Sequence, residues 1–129
     1  MSGREEIRVP ELAEPVSHYT DAVRAGELLF VSGCIAVDGE GRLVGGDDVT
    51  AQTRQVFANL EAILAAGGGS FADVVKVTVF LTDIGDRVAV NEVRRQVFGA
   101  TRPASTLVEV SKLVLDGARV EIEAVALLA

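Results

Sequence analysis

The stretch "RPASTLVEVSKLVLDGARVEIEAVALLA", residues 102–129, decides how this chain folds. Its last part alternates with period two. Val120, Ile122, Ala124, Ala126 and Leu128 share one face of a strand, and Glu121, Glu123, Val125 and Leu127 share the other. Two carboxylates therefore stand in an apolar, β-branched run, where a buried carboxylate is costly unless paired or hydrogen-bonded. Either they face water or they serve a site. Upstream, "ASTLVEV" groups Ser105, Leu107 and Glu109 opposite Thr106, Val108 and Val110. If this strand pairs with the last one, polar groups from both converge on one cleft.

Working outward, "DVVKVTVFLTD" alternates as well, with Val75, Val77, Val79 and Leu81 on one side. Two segments have helical spacing instead. "DDVTAQTRQVFANLEAILAAGGG" aligns Val49, Val56, Leu60, Ile63 and Leu64, with Asp47 or Asp48 as N-cap and Gly67 to Gly69 ending the helix. "DRVAVNEVRRQVFG" aligns Val90, Val93 and Val97. The glycine triplet follows its helix, whereas a phosphate-cradling loop precedes one, so it reads as termination. Near the start, "VSHYTDAVRAGELLFVSGCIAVDGEGRLV" holds two apolar runs around "RAGE", closed by the turn signal "DGEG", a β-hairpin or meander. The order is β-β-α-β-α-β-β, which predicts an α+β fold: a mixed sheet with two helices on one face. The uncovered face, if apolar, calls for another subunit, so a homo-oligomer is expected.

Composition limits the function. With 129 residues, 49% of them hydrophobic and 24% charged, the chain has room for one domain, residues 1–129, with a sizeable core. No apolar run reaches the length of a membrane span, and the N-terminus lacks the apolar segment of a signal peptide, so the cytoplasm is the expected compartment. One cysteine and one histidine cannot assemble a thiolate and imidazole metal site, so no metal is expected. A net charge of −7 with scattered basic residues disfavours nucleic-acid binding. His18 reads as solvated or packed, and Cys34, in the apolar "FVSGCIAV", as a small buried hydrophobe.

Taken together, "VSG" at 31–33, "QTRQVFANLEAILAAGG" at 52–68, "DVVKVTVFLTD" at 73–83, "VNEV" at 90–93, "RPASTLVEV" at 102–110 and "VEIEAVA" at 120–126 resemble the RidA family over essentially the whole chain. The resemblance implies a chorismate-mutase-like α+β fold and a homotrimer with clefts between subunits. It also implies the activity of the family's best-known branch, hydrolysis of reactive enamine or imine intermediates such as 2-aminoacrylate to 2-keto acids and ammonia, without metal or organic cofactor. Four positions carry over from the family. Tyr19 matches a cleft tyrosine, Ser32 the serine of an "SG" motif, Asn91 a cleft asparagine, and Glu121 the glutamate assigned to the hydrolytic water. Without the family, Tyr19 reads as packing a strand edge, Ser32 and Asn91 as satisfying backbone groups, and Glu121 as facing solvent.

One position departs from the family. Where active members carry "PARS", whose arginine clamps a substrate carboxylate, this chain has "PAST", with Ser105 at that place and Leu107 where a cysteine is common. Exchanging a bidentate charged donor for one hydroxyl costs on the order of 1.5 to 3 kcal/mol, roughly 10- to 150-fold. Arg102, just upstream, can substitute only if Pro103 lets it turn inward. Three functions follow as expectations. The first is a deaminase acting on an imine other than the usual 2-aminoacrylate, with Glu121, Ser105 and Tyr19 catalytic and Ser32, Asn91, Arg102 and Leu107 binding substrate. The second is a non-catalytic, small-molecule-binding regulatory trimer. The third is an endoribonuclease.

Overall fold

The helix with the clearest periodicity sets the layering. α1 (Val49–Ala66) starts at Asp48, whose carboxylate accepts from the Thr50 and Ala51 amides at 2.9 and 3.2 Å. It ends at the glycines: the Gly69 amide donates to Leu64 O at 2.8 Å, and Gly68 has a φ of +91° that other residues rarely adopt. Val56, Phe57, Leu60, Ile63 and Leu64 are buried, and they press α1 against the sheet.

The computed structural model describes residues 3–128. Its strands are β1 (Arg4–Ile7), β2 (Ala22–Ala25), β3 (Leu28–Cys34), β4 (Val74–Leu81), β5 (Ala104–Glu109) and β6 (Val120–Leu127), with α2 (Arg87–Phe98) between β4 and β5. They form a six-stranded mixed sheet in the order β1-β2-β3-β6-β4-β5, in which β4 and β5 are parallel and every other pair is antiparallel. Val77, Val79, Leu81, Ile122, Ala124, Ala126, Leu29 and Val31 share one buried core with the inward side chains of α1 and with Val90 and Val93 of α2. Phe57, Phe71 and Phe98 join the helical layer edge to face, with ring centroids 5.6 to 6.0 Å apart. This is the expected α+β architecture. Among the described residues no helix is long and apolar enough to cross a membrane.

Three expectations need correction. β1, with the sequence REEI, lies ahead of the two strands read at the N-terminus; it carries no apolar alternation and exists through pairing with β2 alone, as an edge strand can. In β4 a register shift between Val74 and Lys76 turns Val75 outward, 45% exposed, and Val74 takes the buried place instead. The third concerns β5 and β6, which do not pair. β4 lies between them, so Ser105 sits opposite Val77 and Leu107 opposite Val79, on the helix side of the sheet, while Glu121 sits opposite Phe80 on the open side. The convergence of Ser105 with Glu121 therefore does not occur within one chain.

Candidate active site

Glu121 owes its setting to a bulge. Val31 pairs with Ala124 and Cys34 with Ile122, so Ser32 and Gly33 together span the single residue Glu123 on β6. The bulge brings Gly33 against the Glu121 side chain. A methyl group on Gly33 would collide with Glu121 Oε2 and lie 2.8 Å from its Cδ, so a larger residue there would have to displace the carboxylate. Glu121 is half-buried, and burial, followed by the nearby charge of Glu123, pushes its pKa above the usual carboxylate range. Glu123 itself is exposed.

Around these carboxylates runs a cleft of about 650 Å³. Tyr19, Ser32 and Glu121 all line it. One wall is the segment before β2, held by Arg8, whose guanidinium donates to Asp21 Oδ2 at 2.8 Å and to Leu12 O at 2.9 Å. Asp21 Oδ2 also accepts from the Val9 amide at 2.8 Å. The Ser32 hydroxyl donates to Thr20 O at 2.6 Å, and its amide to Asp21 O at 2.9 Å, which fastens this wall to the bulge. Tyr19 projects from the wall, 49% exposed.

The opposite wall follows β3. Asn59 on α1, buried, donates from Nδ2 to Ile35 O at 3.1 Å and to Val37 O at 3.0 Å. Gln55 Nε2 in turn donates to Asn59 Oδ1 at 3.0 Å. Val114 and Leu115, from the β5 to β6 connection, complete the rim. Cys34 also lines the cleft, but its thiol is buried and pushed up to about 12, mainly by burial and then by Asp21 and Glu121. It is an apolar wall element with no nucleophilic thiolate at neutral pH.

Other expected site residues lie elsewhere in this chain. Asn91 is exposed on α2, and Arg102 is exposed two residues before β5 begins. Ser105 is exposed on the sheet's edge strand, while Leu107 packs against the core. His18 is exposed and is not among the cleft-lining side chains. Beyond the expected site residues, Glu123, Gly33 and Asn59 also line the cleft. Period two already placed Glu123 beside Glu121, so it was within reach. Gly33 and Asn59 act through contacts between segments distant in sequence, which no local pattern reports.

A half-buried carboxylate with a raised pKa, in a cleft also lined by a phenol and a pinned hydroxyl, can hold a water and exchange protons with it. The sequence model of the family described as Endoribonuclease L-PSP matches residues 11–128. A RutC family protein of Pyrococcus horikoshii is 44% identical over 124 residues, covering 95% of this chain and 97% of its own. A 2-iminobutanoate/2-iminopropanoate deaminase of Dermatophagoides farinae is 32% identical over 125 residues, 97% of each chain. The crystal structure of RidA from an Antarctic Psychrobacter superposes with a TM-score of 0.90 at 37% identity, over 96% of this chain and 99% of that one. By sequence and by fold, this chain belongs to the RidA family.

Proposed function

We propose that the chain is a cytoplasmic enamine/imine deaminase that hydrolyses a small reactive imine to its carbonyl compound and ammonia. The observation that carries this reading is the Glu121 carboxylate, half-buried over Gly33 in a cleft it shares with Tyr19 and Ser32. Glu121 takes a proton from water as its oxygen bonds to the imine carbon, and the carbinolamine then collapses. The C–N bond breaks, both water protons end on nitrogen, and ammonia leaves. The named activity of the Dermatophagoides relative supports the reaction class.

Ser105 is exposed on β5, away from Glu121, so it reaches a cleft only if a neighbouring copy presents its β5 edge there. This favours a homotrimer with the cleft closed between subunits. Ser105 also motivates the second reading, a trimer that binds a metabolite without turning it over. An endoribonuclease is disfavoured, because no Lys, Arg or His among the described residues lines the cleft to meet a phosphate backbone.

Ammonia and carbonyl release from imines made in situ by an amino-acid oxidase, an amine oxidase or a threonine dehydratase tests the reading. Glu121→Gln is expected to lower turnover by roughly 10²- to 10⁴-fold, the range for a lost general base. Equal turnover by parent and Glu121→Gln would remove Glu121 from the chemistry. Saturable binding with no ammonia from any imine would establish the binding protein.

A further inference from the structure

The charges along the cleft are one-sided. Glu14, Asp21, Glu121 and Glu123 line it, and among the described residues no basic side chain does. Arg8, behind the wall, pairs with Asp21 at 2.8 Å and with Glu14 at 3.4 Å. Among the described residues no ion pair or hydrogen bond engages the carboxylates of Glu121 and Glu123; the nearby Lys76, on the same sheet face, donates to Thr106 Oγ1 instead. Leu12, Val16, Ile35, Val37, Val114 and Leu115 supply apolar lining. The β5 edge that a neighbour would present offers at the clamp position Ser105, a neutral hydroxyl, and Leu107, which packs inward, with Arg102 exposed two residues ahead of the strand. A ligand carrying its own carboxylate meets repulsion here, and a carboxylate-free cation meets attraction.

We infer that the cleft takes an organic cation with an apolar substituent and no carboxylate, an iminium R–CH=NH₂⁺, and that Glu123 selects it. This rests on the deaminase reading and deepens it. The reaction is R–CH=NH₂⁺ + H₂O → R–CHO + NH₄⁺. The C–O bond forms from water, the C–N bond breaks with its electron pair on nitrogen, and both water protons pass to that nitrogen. Nothing is oxidised or reduced, and no co-reactant is required. Glu121 handles the water, while Glu123, exposed on the same strand face two residues on, holds positive charge near the imine nitrogen without taking part in the proton transfers.

A matched pair of substrates tests the inference. An amine oxidase acting on 3-methylbutylamine releases the carboxylate-free imine in situ, and an amino-acid oxidase acting on leucine releases the 2-imino acid with the same side chain. Ammonia release is scored as acceleration over spontaneous hydrolysis of each imine. In parallel, calorimetric titration compares 3-methylbutylamine with leucine as stable ligands. The carboxylate-free member is expected to be preferred by roughly 10- to 100-fold in both measurements, the scale of one opposed charge at partly screened range, and added salt should shrink the preference. Glu123→Gln is expected to bring the two members within about threefold while turnover persists.

Leucine and its imino acid handled as well as the amine pair would overturn the inference and leave the deaminase reading standing. An imino-acid preference that disappears in Arg102→Ala would overturn it too, and would identify Arg102 as a carboxylate clamp. Selective binding of 3-methylbutylamine with no ammonia from either imine would uphold the ligand class and remove the enzyme. No binding and no turnover of either member would overturn both.

Discussion

Glu121 is held where its charged form is disfavoured, first by burial and then by Glu123. A carboxyl whose pKa is raised on folding binds its proton more tightly in the folded chain. Its contribution to stability is therefore complete below the unfolded pKa and is lost as pH rises through the folded one. The thermal midpoint of Glu121→Gln should accordingly lie above the parent's at pH 7 and should meet it at about pH 3.5, where the carboxyl is protonated in both states. Scanning calorimetry at the two values checks this; a variant less stable than the parent at pH 7 would show that the charged carboxylate is held by stabilising contacts. In catalysis the same shift sets the acid limb. If ionised Glu121 is the base, kcat/KM falls on acidification at a pH above the ordinary carboxylate range. Glu123→Gln removes the second cause of the shift, so the limb should move toward lower pH. A pH profile of the variant superposing on the parent's would rule out that coupling.

At the scale of elements, the site is a product of how α1 and β3 are tied to distant segments. Gln52, fully buried on α1, donates to Gly46 O at 2.7 Å and Gly117 O at 2.9 Å and accepts from the Arg119 amide at 2.8 Å. Arg119 then reaches Asp86, at the head of α2, with both of that carboxylate's oxygens at 2.9 and 3.0 Å. One side chain thus joins α1 to the start of β6, the strand that carries Glu121. Gln52→Ala severs three bonds and opens a cavity, for an expected loss of roughly 2 to 4 kcal/mol in urea unfolding, against about 1 kcal/mol for the exposed cap change Asp48→Ala. Equal losses would show that Gln52 carries no more than a surface cap. What could be read in advance divides along the same line. α1, its cap and its glycine stop, and the alternation of β6 are local patterns, and they were legible. Tyr19, Ser32 and Glu121 were named through family motifs, and the fold brings those three together. The placement of β5 was not legible, because strand pairing is decided by the sheet and not by sequence proximity. β1 and the bulges at Gly33 and Val75 are likewise visible only once their partners are known.

The whole molecule leaves one sheet face without helices. Leu28 opposite Leu127 and Phe30 opposite Val125 stand there, Phe30 46% and Leu127 47% exposed, with Val108 beside Phe80 toward the other edge. Apolar side chains in rows across a sheet would bind more than water in an oligomer, and the carboxylates of Glu121 and Glu123 share that face. Covering it with second and third copies would bury the apolar rows and would bring each neighbour's β5 edge, with Ser105, within reach of a cleft. Phe30→Asp should undo this, because a charge in a dry interface has no partner. Light scattering at micromolar concentration should give three times the chain mass for the parent and one for the variant. Circular dichroism should be unchanged, since Phe30 lies outside the helix-covered core. Turnover should disappear with the trimer. A folded monomer that still releases ammonia at the parent's rate would place the whole site inside one chain; a variant that stays trimeric would mean that the copies meet through another surface.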